Sequence, residues 1–351
     1  MMTASAPAGL ETVSVIVPTF NRAAWLESTV RSALAQTHAP LEIIVVDDGS
    51  TDGTEAVARG LPAPVTYLRQ PNAGVAAARN AGARVARGQW LAFLDCEDVW
   101  EPRKLECQLA ALNAVPGADW SVTGCVVIDL EGRPTTGVQG FERVFPLFRE
   151  LGVAASAFFA GQLTPTQVAC SGGPVTVFGG DAFGLLFHGN FGLPSSAMVR
   201  RTLFEALGGF DPSWRLAEET EFFHRLAAQA AVALVMEPLV QYRVGQGGAL
   251  TSPANTVTLV ENALTSLERA SASRALKPAE RNAYVEGRTR LTCRLAYAHL
   301  SNHDSRRARR VLGTLFRGGV PRAARAYGLL GLSLLPGPIL RALHAFKRGM
   351  R

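Results

Sequence analysis

Two apolar runs early in the chain end in clusters of carboxylates. Leu41-Glu42-Ile43-Ile44-Val45-Val46 leads into Asp47-Asp48, and Trp90-Leu91-Ala92-Phe93-Leu94 leads into Asp95-Cys96-Glu97-Asp98. Runs this apolar read as strands buried on both faces of a parallel sheet, and in such sheets the ligand crevice lies outside the carboxyl ends of the strands. Acids at that edge hold a metal or a polar ligand. Asp95 and Glu97, two residues apart, offer the hard oxygen donors that Mg2+ or Mn2+ takes while bridging to substrate phosphates. A DxD-like triplet alone is weak, and a solvated acidic loop is the competing reading. For Asp47 and Asp48 the plain reading is a strand-to-helix turn, with Gly49 relaxing the backbone and Ser50 or Asp52 capping the next helix. Capping does not require two adjacent acids, whereas an acid here can accept from a ribose hydroxyl or a base N–H.

Two further segments belong with these. Val15-Ile16-Val17-Pro18-Thr19-Phe20-Asn21-Arg22 reads as a strand, a Pro turn and a helix start whose free N–H groups face the crevice. GxGxxG is missing, which disfavours dinucleotide binding and a Rossmann oxidoreductase. From Asn72 to Ala83 small residues recur at helical spacing, which lets a helix approach the sheet closely. Packing explains the Ala and Gly but not Arg79 and Asn80; an Arg so placed can pair with a diphosphate.

Alternating elements must position these residues. Strands are predicted at Val13–Val17, Leu41–Val46, Val65–Leu68 and Trp90–Leu94, with helices at Ala23–Ala35, Thr54–Arg59 and Val75–Ala86 between them. This is the pattern of βαβ units. Asn21 reads as an N-cap, Gly88 as a C′ residue, and Pro102 as the start of a helix to Asn113. A strand Trp120–Ile128 follows. Gly132 to Phe191 reads as loops with one helix near Glu142–Leu151. Beyond it come a strand Ser196–Val199, helices Thr202–Leu207 and Glu218–Ala230, and strands Val232–Met236 and Val240–Val244. Helices are then predicted near Val257–Arg274, Pro278–Leu300, Arg306–Phe316 and Arg322–Met350.

A chain of 351 residues with 48% hydrophobic content can bury a sizeable core. Five cysteines without CxxC spacing argue against disulfides and zinc and fit a reducing cytosol. Neither a signal peptide nor a run of about 18 apolar residues is visible, so a cytosolic protein is expected. The net charge of +6 is uneven. From Ser301 onward eleven basic residues face Asp304 alone, a balance of +10, which leaves −4 for the rest. In that tail Arg306, Arg307, Arg309, Arg310, Arg322, Arg325, Arg341, Lys347, Arg348 and Arg351 are interleaved with apolar Leu329–Leu335 and Ile339-Leu340. Basic amphipathic helices of this kind can lie on an anionic bilayer, and a helical subdomain with a solvated basic face is an equal alternative. Nucleic-acid binding is disfavoured, because the positive charge lacks interleaved aromatics.

In order and spacing, VSVIVPTFNR, EIIVVDDGSTD, NAGVAAARNAG, WLAFLDCEDVW and GGFDPSWRLAEETEFFHRLA resemble the family 2 glycosyltransferases, over roughly Val13 to Val244. That resemblance implies an α/β GT-A fold, a mostly parallel sheet flanked by helices, followed by a C-terminal helical extension. The implied layout is a flexible N-terminus at 1–12, a glycosyltransferase domain at 13–250 with a donor-binding half (13–129) and an acceptor-binding half (130–250), and a basic helical region at 251–351. It further implies an inverting, metal-dependent, hexosyltransferase-type enzyme using Mn2+ or Mg2+ and a nucleotide-diphosphate sugar, with a UDP-sugar favoured. Its acceptor would be a saccharide or lipid-linked molecule in bacterial surface polysaccharide or glycolipid assembly.

Carried over position by position, the resemblance suggests Pro18, Thr19, Asn21, Asp47, Asp48, Asn72, Arg79, Asn80 and Asp95 for the nucleotide sugar, and Asp95 with Glu97 for the metal. Glu219, beside Glu218, is the proton acceptor it implies. Two adjacent acids raise one pKa, which suits such a role, while acids at a helix start also favour its dipole. Pro194, Ser195 and Ser196 are the expected acceptor-side residues. Glu97 and Glu219 stand where the family usually has Asp, and Tyr242-Arg243-Val244-Gly245-Gln246-Gly247-Gly248 lacks a His often found after that Arg. These departures keep open a second reading, an impaired sugar-nucleotide-binding partner or scaffold in a polysaccharide assembly complex.

Overall fold

The computed structural model describes residues 11–135, 140–141, 145–245, 255–316 and 324–335. Outside them lie the start of the predicted helix Glu142–Leu151, Gln246, Gly247, Gly248, Arg322, the side chain of Arg325, and the tail from residue 336, with Ile339, Leu340, Arg341, Lys347, Arg348 and Arg351. By contact density the chain forms two compact units, Met1–Leu186 with Asn190–Gly247, and Phe187–Gly189 with Gly248–Arg351.

In the first unit, β1 (Val13–Thr19), β2 (Glu42–Asp47), β3 (Val65–Arg69) and β4 (Trp90–Phe93) alternate with α1 (Ala23–Leu34), α2 (Thr54–Arg59) and α3 (Val75–Val85). These strands pair in parallel in the order β3-β2-β1-β4. Val13, Val15 to Val17, Ile43 to Val46 and Trp90 to Phe93 are each at most 1% exposed, so helices cover both faces and unbroken apolar runs are what such strands require. Gly82 lets α3 pack onto β1, for a Cβ there would stand 2.6 Å from Ile16 Cγ2. Parallel pairing brings the carboxyl ends of β1, β2 and β4 to one edge, where Thr19, Asp47 and Asp95 emerge.

After β4 come β5 (Val99–Trp100), α4 (Lys104–Ala114), β6 (Ala118–Ile128), α5 (Pro146–Leu151), α6 (Ala155–Ala160), β7 (Thr164–Val168), β8 (Val175–Gly180) and α7 (Phe183–His188). A 3-10 turn (Pro194–Ser196), β9 (Met198–Arg200), α8 (Arg201–Ala206), α9 (Glu218–Gln229) and β10 (Ala231–Arg243) follow. The sheet continues as β9-β6-β10-β8-β7, with β6 and β10 parallel, β9 antiparallel to both its neighbours, and β5 antiparallel to β10.

Several expectations change here. The stretch expected to be loops with one helix contains the β7–β8 hairpin and three short helices; β7, Thr-Pro-Thr-Gln-Val, is a largely exposed edge strand without apolar alternation. The two strands expected at Val232–Met236 and Val240–Val244 are one, β10, with register shifts on both sides of Pro238. Proline supplies no ladder N–H, so the strand bulges there instead of stopping. Asn21 is not an N-cap. It adopts φ 52° and accepts from Thr51 N at 2.8 Å, while Thr54 Oγ1 and Asp52 Oδ2 receive the amides of Arg22 and Ala23 from across the crevice. Nor does Gly88 cap α3; it passes close beside β1, where a Cβ would lie 2.5 Å from Ser14 N.

The second unit is helical: α10 (Thr256–Ser273), α11 (Pro278–Ser301), α12 (Ser305–Phe316) and α13 (Ala324–Ser333). Its core joins Cys293, Ala296 and Leu300 of α11, Ala308, Leu312 and Leu315 of α12, and Ala326 and Leu329 of α13. Arg306, Arg307, Arg309 and Arg310 line the exposed side of α12. Among the described residues no helix is long and apolar enough to cross a membrane.

Candidate functional site

At the end of β2, Asp47 accepts from Ser50 N (2.8 Å) and Tyr67 Oη (2.7 Å). Burial alone would raise its pKa, but hydrogen bonds from Ser50 and Tyr67 and the charge of Arg69 hold it below the usual value. Asp48 accepts from Gln70 Nε2 (2.7 Å) and from the amides of Ala73 and Gly74 (both 2.8 Å), and Asn72 Nδ2 donates to the Asp48 carbonyl at 3.0 Å. These bonds gather Asp47, Asp48 and Asn72 around one loop junction beside Asn21 and the buried Pro18 and Thr19. The two acids thus fold the 47–74 loops, a role in addition to any ligand.

Arg79, only 2% exposed, joins the two halves of the site. Its Nη2 donates to Asp95 Oδ1 at 2.7 Å and its Nη1 to Glu218 Oε1 at 2.9 Å, bridging 139 residues of sequence. Burial opposes its charge, but Asp95 and Glu218 more than offset this and raise its pKa. Glu97 pairs with Arg22 at 3.4 Å. Burial, then the charge of Asp95, pushes the Glu97 carboxyl up. Glu219, at the start of α9, is pushed up to about 7, first by burial and then by the charge of Glu218. A carboxyl titrating there can take a proton near neutral pH.

Asn80 lies away from this group: its Nδ2 donates to Phe210 O (2.7 Å) and its Oδ1 accepts from Phe210 N (3.0 Å), so both polar atoms brace the Gly209-Phe210 turn. Ser195 and Ser196 are fully buried and Pro194 is buried too, so none presents a surface to an acceptor. Ser195 Oγ donates to Asp98 and accepts from Asp95 N, while the Ser196 carbonyl accepts from Gln108 Nε2. Sequence reasoning gives Asp98 no role, although it is 1% exposed. Burial, then Asp95 and Glu97, raises its pKa well above the carboxylate range. Tyr242 was likewise without a role. Its phenol is raised by burial and by the charges of Asp98, Asp95, Glu97 and Glu219, which places it among the acids.

No group of three or more His, Cys, Asp or Glu side chains that could hold a metal occurs among the described residues. Asp95 and Glu97 fit a divalent ion of another kind, one completed by substrate oxygens. Both are hard donors, and both are about one quarter exposed at the side chain, open to an ion shared with substrate oxygens.

Residues 14–167 match the family model for glycosyl transferase family 2. Over 127 residues the chain is 40% identical to a putative teichuronic acid biosynthesis glycosyltransferase, TuaG, of Bacillus subtilis, covering 35% of this chain and 50% of that protein. It spans half or less of the length of this and other curated glycosyltransferase relatives that it matches. Among solved structures, S. aureus TarS 1-349 in complex with UDP-GlcNAc aligns at a TM-score of 0.54 and 19% identity, over 95% of this chain and 87% of that one. The mannosyltransferase PcManGT of Pyrobaculum calidifontis, in complex with GDP-Man and Mn2+, aligns at 0.56 and 21%, over 91% and 78%. With the motifs of the first half matching by sequence and the sheet matching by shape, residues 14–167 are similar to glycosyl transferase family 2, and the fold is GT-A.

Proposed function

We propose that the protein transfers a sugar from a nucleotide-diphosphate sugar, UDP-linked by preference, to an acceptor hydroxyl with inversion, in assembly of a bacterial surface polysaccharide or glycolipid. Residues 13–129 would bind the donor and 130–250 the acceptor. One observation carries this reading: Arg79 ties Asp95, on the donor edge, to Glu218, the neighbour of a carboxyl titrating near 7. A single buried cation thereby joins the anionic donor edge to the neighbour of the proton acceptor. The complexes of TarS with UDP-GlcNAc and of PcManGT with GDP-Man and Mn2+ support the donor class and the ion, and the name of TuaG supports polysaccharide assembly.

Displacement at an anomeric carbon builds negative charge on the diphosphate and requires proton removal from the acceptor. Asp95 and Glu97 would hold a divalent ion, which when bound supplies positive charge to the leaving group. Arg79 directs the Asp95 carboxylate from one side and pairs with Glu218 on the other. Glu218 in turn raises the proton affinity of Glu219, which takes the proton from the acceptor hydroxyl at its carboxylate oxygen. Replacing the family's usual Asp by Glu at positions 97 and 219 keeps the charge at each.

The test is Glu219→Gln assayed with a panel of nucleotide sugars and Mn2+. Transfer should fall by at least about 100-fold, the scale of general base catalysis, while donor binding seen by thermal shift persists. Turnover equal to the parent would refute the role of Glu219. A parent that neither transfers nor hydrolyses any nucleotide sugar, yet binds one, would favour the scaffold reading. We further place the protein in the cytoplasm, peripheral to the membrane through the arginines of α12.

A further inference from the structure

The turn carrying Asp95 and Glu97 is fixed by contacts from distant parts of the chain that converge on one carboxyl. Asp98 Oδ2 accepts from Ser195 Oγ at 2.5 Å, and that hydroxyl accepts the Asp95 amide at 3.0 Å. Asp98 Oδ1 accepts from Arg243 N at 3.0 Å, and the same Arg243 donates from Nε to the Glu97 carbonyl at 2.9 Å. Two chains of hydrogen bonds therefore leave one side chain and end on the backbones of the two acids. Ser195 is held by Trp100 Nε1, which donates to its carbonyl at 2.8 Å, and Arg243 by the carbonyls of Asp129 and Leu130 at 3.0 and 2.9 Å. Asp98 and Ser195 are at most 1% exposed, so neither touches a substrate.

We propose that Asp98 is a positioning residue: through Ser195 it sets the Asp95 backbone and through Arg243 the Glu97 backbone, fixing how the two acids face a divalent ion. Backbone anchoring matters because a divalent ion held by only two protein carboxylates depends on their separation and direction, which free rotation of the turn would spoil. The arrangement also gives Ser195 a purpose that its burial denies it as an acceptor contact. This inference rests on the reading of Asp95 and Glu97 as the metal pair, and the test separates the two.

Mn2+ capture in the presence of UDP can be read by electron paramagnetic resonance, and amide exchange of residues 94–99 can be read on the metal-free protein. Ser195→Ala should quicken exchange in that segment and weaken Mn2+ capture roughly 10- to 100-fold, the usual cost of removing a group behind a metal ligand. Asp98→Ala removes the acceptors of both Ser195 Oγ and Arg243 N, so it should quicken exchange and weaken capture at least as much. Asp95→Asn should lose Mn2+ capture without quickened exchange. If Ser195→Ala loosens the segment yet captures Mn2+ like the parent, or if Asp98→Ala leaves both exchange and capture at the parent's values, the positioning role is overturned. Should the parent itself capture no Mn2+ with UDP, the metal pair is wrong, while the exchange data still judge whether Asp98 and Ser195 hold the turn.

Discussion

Glu219 and Glu218 lie side by side at the start of α9, yet their surroundings differ: Arg79 pairs directly with the buried Glu218, whereas half-buried Glu219 feels that cation only as a minor, lowering influence. This difference is what favours Glu219 over Glu218 for the proposed proton-accepting role. With Glu219 pushed up to about 7, the rate of transfer should climb as pH rises through that value. Glu218→Gln removes the neighbouring charge and should move the rising limb to lower pH, leaving burial to hold it above the ordinary carboxylate range; a limb that stays in place in a pH–rate profile would argue against the pairing. The linkage to stability has the opposite sign. The folded state binds the proton more tightly than the unfolded chain, so this group's contribution falls as pH rises from about 4.5 towards 7. Much of this site could be read from residue types: Asp95, Glu97 and Glu219 stand out as acids at strand or helix ends. Arg79 was singled out too, but its partner Glu218 lies 139 positions away, and no local spacing signals that contact. Asn80, read as a donor residue, braces Phe210 for the same reason.

At the scale of elements, the first four strands were legible because β1, β2 and β4 are buried on both faces and are therefore almost wholly apolar, with Ser14 the exception, bonded to Glu42. The later strands were harder. β7 carries proline and polar residues at an exposed edge, and β10 runs through a bulge at Pro238 that splits its pattern in two. The contact of α3 with β1 makes the clearest prediction here. Gly82→Ala would press a methyl group to 2.6 Å from the branched Ile16 side chain, and overpacking of this kind costs about 1–3 kcal/mol. Chemical denaturation should show that loss; a midpoint unchanged from the parent would mean that α3 can shift outward freely. Since α3 also carries Arg79, such a shift should lower transfer even in protein that remains folded.

For the whole molecule, the basic tail was legible as charge but not as packing. Sequence alone left helices lying on an anionic bilayer and a packed helical subdomain equally open for it. In α12, Ala308, Leu312 and Leu315 contribute to the helical core of the second unit, leaving Arg306, Arg307, Arg309 and Arg310 exposed. Basic residues near an anionic surface contribute about 1 kcal/mol each, and salt screens them within about 8–10 Å. Replacing Arg306, Arg307 and Arg310 with Gln should therefore abolish sedimentation with phosphatidylserine-containing vesicles at low salt, and 0.5 M NaCl should do the same to the parent. Retention under both conditions would exclude α12 as the attachment. Since the greasy side of that helix is already committed to its neighbours, α12 itself could meet a lipid surface only as a charged plate meets a counterion. Such attachment would be brief, reversible and blind to the length of the acyl tails beneath.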